Sequence, residues 1–216
     1  PVAATSMVAT DGGPGVHSGQ LENQTGPKVL LIELFSGLKG GRLALDSLPA
    51  CVVSDFDSEI CDFAELLRKQ NWPASMPLGN IEDITLEQIR EIVDTHHEYV
   101  DLILVIGGFP CKDTSKLKWQ RRNLAGAESG KFKYFVQIME WIRRFAKDVP
   151  VRHLLENTDM DTEPMDQISA TLACKPWLVN AGAVLACTRP RLYWVDWEVL
   201  PEAGETVAHK EHLSTL

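Results

Sequence analysis

The chain has no pair of cysteines at CxxC spacing, and its cysteines are odd in number: Cys51, Cys61, Cys111, Cys174 and Cys187. That argues against a disulfide scaffold or a zinc site, and no metal ligand set is expected; it points to a reducing compartment. No run reaches the ~18 uninterrupted apolar residues of a membrane span. No basic stretch followed by an apolar one opens the sequence, so no secretory signal is read there. The glycines never fall into GxGxxG, and no GK[ST] follows a glycine-rich turn, which leaves pyrophosphate binding without its signature. Positive charge is scarce as well: 21 Lys and Arg stand against 30 Asp and Glu, for a net charge of -9. A broad phosphate-binding face is therefore not expected.

What is present is alternation. Residues 1–27 are rich in Gly, Ser, Thr, Ala and Pro without periodicity, and read as a flexible leader. From Lys28 onward buried strands and helices take turns. "KVLLIELF" is a strand, "SGLKGG" a glycine-bearing turn, "RLALDSL" a short helix and "CVVSDF" a second strand. Asp57 or Ser58 is placed to cap a helix carrying Ile60, Phe63, Ala64 and Leu67 at helical spacing. "GNIEDI" looks like a strand end. Thr85 to Gln88 spells a capping box before Leu86, Ile89 and Val93. "YVDLILVI" and "VRHLLEN" are further strands around an amphipathic helix over 131–146; "QISATLA" is a weak helix. "AVLAC" and "LYWVDWEV" are paired as a terminal antiparallel hairpin. The pattern predicts an α/β fold with a mostly parallel, doubly wound sheet. Ligands of such sheets sit beyond the carboxyl ends of the strands.

Five places near those ends carry chemistry. The turn "ELFSGLKGG" lets backbone N–H groups approach a ligand, although such turns also occur as plain punctuation. Asp55, about twenty residues on, suits a ribose diol, with Phe56 placed to stack on a base; a helix-capping role fits Asp55 equally. Cys111 follows Pro110 in "GGFPCKDTS", beyond a buried strand. A thiolate there is a strong nucleophile, while the commoner fate of a free cysteine is a small buried hydrophobe. Glu156 in "LLENTD" is a carboxyl beside Leu154 and Leu155; partial burial would keep it protonated and able to donate, with Asn157 fixing its geometry. Arg189 and Arg191 in "TRPRLYW" are at period two and share one side of an extended chain, which suits a carboxylate, a phosphate or a nucleobase edge. After Cys111 the stretch Lys116 to Lys133 gathers Lys118, Arg121, Arg122 and Lys131 around a single acid, Glu128.

Taken in order, "LFSGLKGG", "SDFD", "GGFPCKDTS", "LLENTD" and "TRPRLYW" resemble the DNA cytosine-5 methyltransferases, over residues 28–200. In finer detail the SGLxxG spacing, the Asp in "PCKDTS" and the Arg-x-Arg-aromatic-Trp ending resemble the de novo animal branch. The resemblance implies a Rossmann-like, S-adenosylmethionine-dependent methyltransferase fold, with residues 28–200 as the catalytic domain and 201–216 as an irregular tail. It places the methyl donor on Phe35, Ser36, Gly37 and Leu38, its ribose on Asp55, and its adenine near Phe56, Asn80 and Ile81, with Pro110 closing the site.

It also implies the chemistry: Cys111 adds to C6 of a cytosine, Glu156 assists at N3, and Arg191 with Arg189 holds the base. The base leaves the duplex to reach Cys111, so the partner is double-stranded DNA with a flipped cytosine, and the basic stretch after Cys111 approaches its phosphates. Such a protein works in the nucleus of a eukaryote, otherwise in the cytoplasm. Lys39 stands where many relatives have glycine, Asn80 where they have Asp, and Thr158 where Val is common. The target-recognition segment and closing Asn-bearing helix of the family are not found after Trp194: the sequence is a fragment, a second chain supplies them, or DNA specificity has been lost. Two other functions share these motifs: tRNA cytosine-5 methylation, and a catalytically inactive regulatory homologue.

Overall fold

Seven apolar-rich residues, Lys28–Leu34, form β1, and all but the first are buried. In the computed structural model, which describes residues 26–111, 124, 129–183, 188–199 and 208–209, this strand is an interior one, with a neighbour on each side. α1 (Gly40–Asp46), β2 (Cys51–Ser58), α2 (Asp62–Asn71), β3 (Met76–Pro77), α3 (Leu86–His96) and β4 (Leu102–Gly107) follow. Then come α4 (Phe132–Phe145), β5 (Val151–Thr158), α5 (Thr162–Leu172), β6 (Pro176–Asn180), β7 (Pro190–Val195) and β8 (Ala208–His209). The sheet order is β3-β2-β1-β4-β5-β7-β6-β8. The pairs from β3 to β5 are parallel, and β5–β7, β6–β7 and β6–β8 are antiparallel. The expected α/β class with a terminal hairpin is therefore present.

A buried aliphatic side chain contributes about 1.5–3 kcal/mol, and the larger share of that burial lies on one face. There Leu30, Ile32, Ile103 and Val105 pack against Ile89 and Val93 of α3, Phe135, Ile138 and Ile142 of α4, and Ile168 of α5. The opposite face has a smaller core, in which Val29, Leu31 and Leu104 meet Leu45 of α1. α3 starts with the capping box read from the sequence: Thr85 Oγ1 accepts from the Gln88 amide, and Gln88 Oε1 accepts from the Thr85 amide.

Four local expectations change. β2 does not stop at Phe56 but continues through Ser58, so Asp57 and Ser58 are strand residues and Cys61 is the N-cap of α2. Of the expected apolar stripe α2 buries only Ala64, with Arg68 beside it; Ile60 and Phe63 are 67% and 62% exposed. The face beneath that helix is acidic, and Arg68 pairs with it. Asn80 caps a 3-10 turn, Ile81–Asp83, where a strand end was expected. The hairpin partner of β7 is Pro176–Asn180, preceding "AVLAC", because Pro176 and Leu178 supply the inward-facing side chains. Within the expected irregular tail, Ala208–His209 pairs with β6. The leader and most of the basic stretch fall outside the described residues.

Candidate active site

The carboxyl ends of β1, β2, β3 and β4 open onto a cleft of about 210 Å³. Phe35 comes from the turn after β1, and Ser58, Glu59 and Ile60 from the end of β2. Asn80 and Ile81 follow β3, Gly108 and Pro110 follow β4, and Lys131 stands just before α4. Of the expected cofactor residues, Phe35, Asn80, Ile81 and Pro110 line this cleft. Ser36, Gly37 and Leu38 form the turn beside it, with Leu38 directed to solvent.

Asp55 and Phe56 are elsewhere, which corrects their assignment. Asp55 is buried, its carboxylate held 2.8 Å from Lys39 Nζ and 3.2 Å from Arg42 Nη1. Phe56 points to the other face of the sheet, where its ring meets His96 edge-on in the core. Strand alternation sends consecutive residues to opposite faces, and neither face here is the cleft.

Glu59, not Asp55, is the acid that lines the cleft. Its Oε2 accepts from the Gly37 amide at 2.8 Å, and its Oε1 accepts from the amides of Ile60 and Cys61. Gly37 is in the left-handed region at φ 52°, which aims that amide at Glu59 without the cost a Cβ would add. A carboxylate has about four acceptor sites, so three amide bonds leave capacity for a ligand hydroxyl. Asn80 uses Oδ1 to accept from the Glu82 amide, which leaves its Nδ2 for other partners. Lys131 Nζ lies 3.6 Å from Glu82 Oε1 at the same mouth.

The second part of the site lies beside Pro110. The loop after β4 passes the β5 carboxyl so closely that a Cβ on Gly108 would come within 3.3 Å of Glu156 Oε2. Cys111 follows, exposed. Glu156 lies inside β5, two residues before its end, with Tyr193 opposite it on β7. Arg191 Nε is 2.8 Å from Glu156 Oε1, and Arg191 Nη1 donates to the Pro190 carbonyl. Burial raises the Glu156 pKa above the ordinary 4.5, against the opposing pull of Arg191 and Arg189. The Tyr193 hydroxyl is raised as well, by burial first and by the Glu156 charge second. Arg189 is exposed, just before β7; its amide donates to Asn180 Oδ1 at 2.9 Å.

Asn157 acts on a different neighbour from the one expected. It is buried on the face opposite Glu156, where Nδ2 donates to the Phe109 carbonyl at 2.9 Å and Oδ1 accepts from the Thr158 amide. It therefore anchors the loop carrying Pro110 and Cys111 rather than the Glu156 carboxyl. Sequence reasoning missed Ser58, Glu59, Ile60, Gly108 and Lys131. The signal for Glu59 was available: it is the first residue beyond the strand, in the short link to the next helix.

A mostly parallel sheet thus carries a cleft at one strand edge, with a Pro-Cys loop beside a part-buried carboxyl. The family model for C-5 cytosine-specific DNA methylases matches residues 29–163, and the chain belongs to that family. It is similar to the DNA (cytosine-5)-methyltransferase DRM1A of Oryza sativa subsp. japonica, at 24% identity over 119 residues, 52% of this chain and 24% of that protein. Among solved structures it is similar to the Entamoeba histolytica methyltransferase EhMeth, with a TM-score of 0.57 at 16% identity, covering 80% of this chain and 56% of that one. It is also similar to a Spodoptera frugiperda DNMT2 mutant, with a TM-score of 0.51 at 24% identity, covering 78% and 49%. These structural likenesses establish the fold. The chain spans about a quarter of the curated relative and about half of the solved structures.

Proposed function

We propose that this chain transfers a methyl group from S-adenosylmethionine to C5 of cytosine in DNA, with Cys111 as nucleophile. The observation that supports it most strongly is the adjacency of two half-sites. Gly108 and Pro110 line the nucleoside cleft, while Gly108 also abuts Glu156 and Pro110 carries Cys111.

The cleft residues fit the proposed methyl donor. Phe35, Ile60, Ile81 and Pro110 offer apolar surface to an adenine, and Glu59 offers acceptor oxygens to a ribose diol. When bound, this donor supplies an electrophilic methyl group on a sulfonium sulfur. Glu59, already fixed by three backbone amides, holds its sugar without further ordering, which is the gain of a preorganised group.

Cytosine C5 is too weak a nucleophile by itself. The Cys111 thiolate forms a bond to C6, and the displaced electron pair moves toward C5 as Glu156 delivers a proton to N3. A carboxyl whose pKa is raised by burial holds that proton more firmly than a solvated one does. Arg191 braces Glu156 through Oε1, leaving Oε2 on the side of Gly108. After transfer a base removes the C5 proton, the C6–S bond breaks with Cys111 leaving as thiolate, and N3 returns its proton to Glu156. The Lys- and Arg-rich stretch after Cys111 contributes phosphate contacts. The place of work is the nucleus in a eukaryote.

Transfer of labelled methyl groups to duplex DNA and to tRNA, measured for the native chain and for Cys111→Ala, tests this. Transfer to DNA that is lost in the variant supports it. Transfer to tRNA alone would move the substrate to RNA, and activity retained in Cys111→Ala would end the covalent mechanism.

A further inference from the structure

Lys39 is a lysine that solvent does not reach: it is 1% exposed, directly after the turn that borders the cleft. Its backbone is left-handed at φ 56°, a conformation a glycine would adopt freely. Its side chain runs under the turn instead of into the cleft. Nζ donates to Asp55 Oδ1 at 2.8 Å and to Ser75 Oγ at 2.9 Å. It also lies 3.4 Å from Asp57 Oδ1, and 3.1 Å from Glu33 Oε2 without hydrogen-bond geometry. Arg42 of α1 and Arg68 of α2 reach the same carboxylates from either side, and Glu65 pairs with Arg68.

The turn is tied to this layer at several points. The Lys39 amide closes it on the Ser36 carbonyl at 2.8 Å. Ser36 Oγ donates to Asp57 Oδ2, whose other oxygen accepts from Ser75 Oγ. Gly37, between Ser36 and Lys39, sends its amide to Glu59 in the cleft. Glu33, Asp55 and Asp57 are buried side by side at the ends of β1 and β2, and removal of one central cation would leave them repelling one another.

We propose that Lys39 is a positioning residue: its buried ammonium holds the turn Phe35–Gly40 against the β2 carboxylates and thereby fixes the Gly37 amide and Glu59 for the methyl donor. The link to the donor rests on the proposed function of the cleft; the hold on the turn does not. Its basis is charge, so a compensating loss of one acid should undo the loss of the lysine.

Two measurements separate these. Amide hydrogen exchange of the segment 35–43 in the ligand-free protein reads the turn, and calorimetric binding of S-adenosylhomocysteine reads the cleft. In Lys39→Gly, which relieves the backbone but removes the cation, exchange should rise at least tenfold and affinity fall at least tenfold. In Lys39→Gly with Asp55→Asn, both should return to within about threefold of the native values. Lys39→Met keeps the length of the side chain without the charge and should behave like Lys39→Gly. Should Lys39→Gly fail to fold while the double variant folds, the charge role stands. Native-like exchange in a folded Lys39→Met would overturn it. If the native chain binds no S-adenosylhomocysteine while exchange responds as stated, the donor assignment of the cleft fails and the hold on the turn stands.

Discussion

Asn157 Nδ2 donates to the Phe109 carbonyl at 2.9 Å, tying β5 to the loop that carries Pro110 and Cys111. The adjacent Glu156 faces the opposite side of the strand, beside Gly108. One dipeptide thus serves two purposes: one side chain anchors the loop, and the other is the carboxyl to which the proposed function gives proton transfer. Removing the amide leaves a buried carbonyl without its donor, which costs about 1–3 kcal/mol. Asn157→Ala should lower the urea midpoint accordingly and reduce methyl transfer more than tenfold, because the nucleophile's loop loses its anchor. A variant with native stability and native rate would show that the Phe109 contact has no role.

The pH dependence of Glu156 has a definite sign. Burial holds its folded pKa above 4.5, so the folded protein binds that proton more tightly than the unfolded chain does. Its contribution to stability is greatest below the ordinary carboxylate value and is lost as pH rises through the folded pKa. Glu156→Gln is neutral throughout and should flatten that part of the stability–pH curve, read from urea midpoints, while abolishing measurable transfer. An unchanged slope would mean the carboxyl is not held protonated by the fold.

Arg191 is a test of role against stability. Its pair with Glu156 is partly exposed on both sides, and such pairs contribute about 0–1 kcal/mol. Arg191→Met should therefore shift the melting temperature little, yet lower transfer at least tenfold and raise the Glu156 pKa further, since Arg191 is the larger of the two pulls that lower it. A carboxyl titration followed by NMR in the native chain and the variant reads the pKa directly.

The thiols should react in a set order. Cys174 is half-buried, 3.8 Å from His153 Nε2, and its pKa is pushed up to about 11, first by burial and then by the charge of Asp196. Cys61 and Cys111 are exposed. With iodoacetamide near neutral pH, Cys61 and Cys111 should be alkylated well before Cys174, as peptide mass spectrometry can follow. Early labelling of Cys174 would show that His153 activates it as a base.

The sheet was legible because apolar runs such as "KVLLIEL" and "LILVIG" leave little choice of structure, and the Thr85 capping box because its two polar side chains have a fixed spacing. The placement of the Cys111 loop and Glu156 at the strand ends was legible because they interrupt or follow such runs. Which acid lines the cleft was not. "SDFDSE" offers three acids within five positions, and only the length of β2 decides which face each one takes. Asp55 and Asp57 turn toward Lys39, Phe56 turns into the core, and Glu59 is left at the cleft. The outward turn of Phe63 was hidden for a related reason. A helix normally buries its apolar stripe, but α2 lies over carboxylates and gives them Arg68.

The most direct test of the proposed donor site is calorimetric titration of the native chain and of Glu59→Ala with S-adenosylmethionine. Micromolar binding in the native chain that weakens at least tenfold in the variant is the expected result. Equal affinity in the two would place the donor away from Glu59 and contradict the assignment of the cleft.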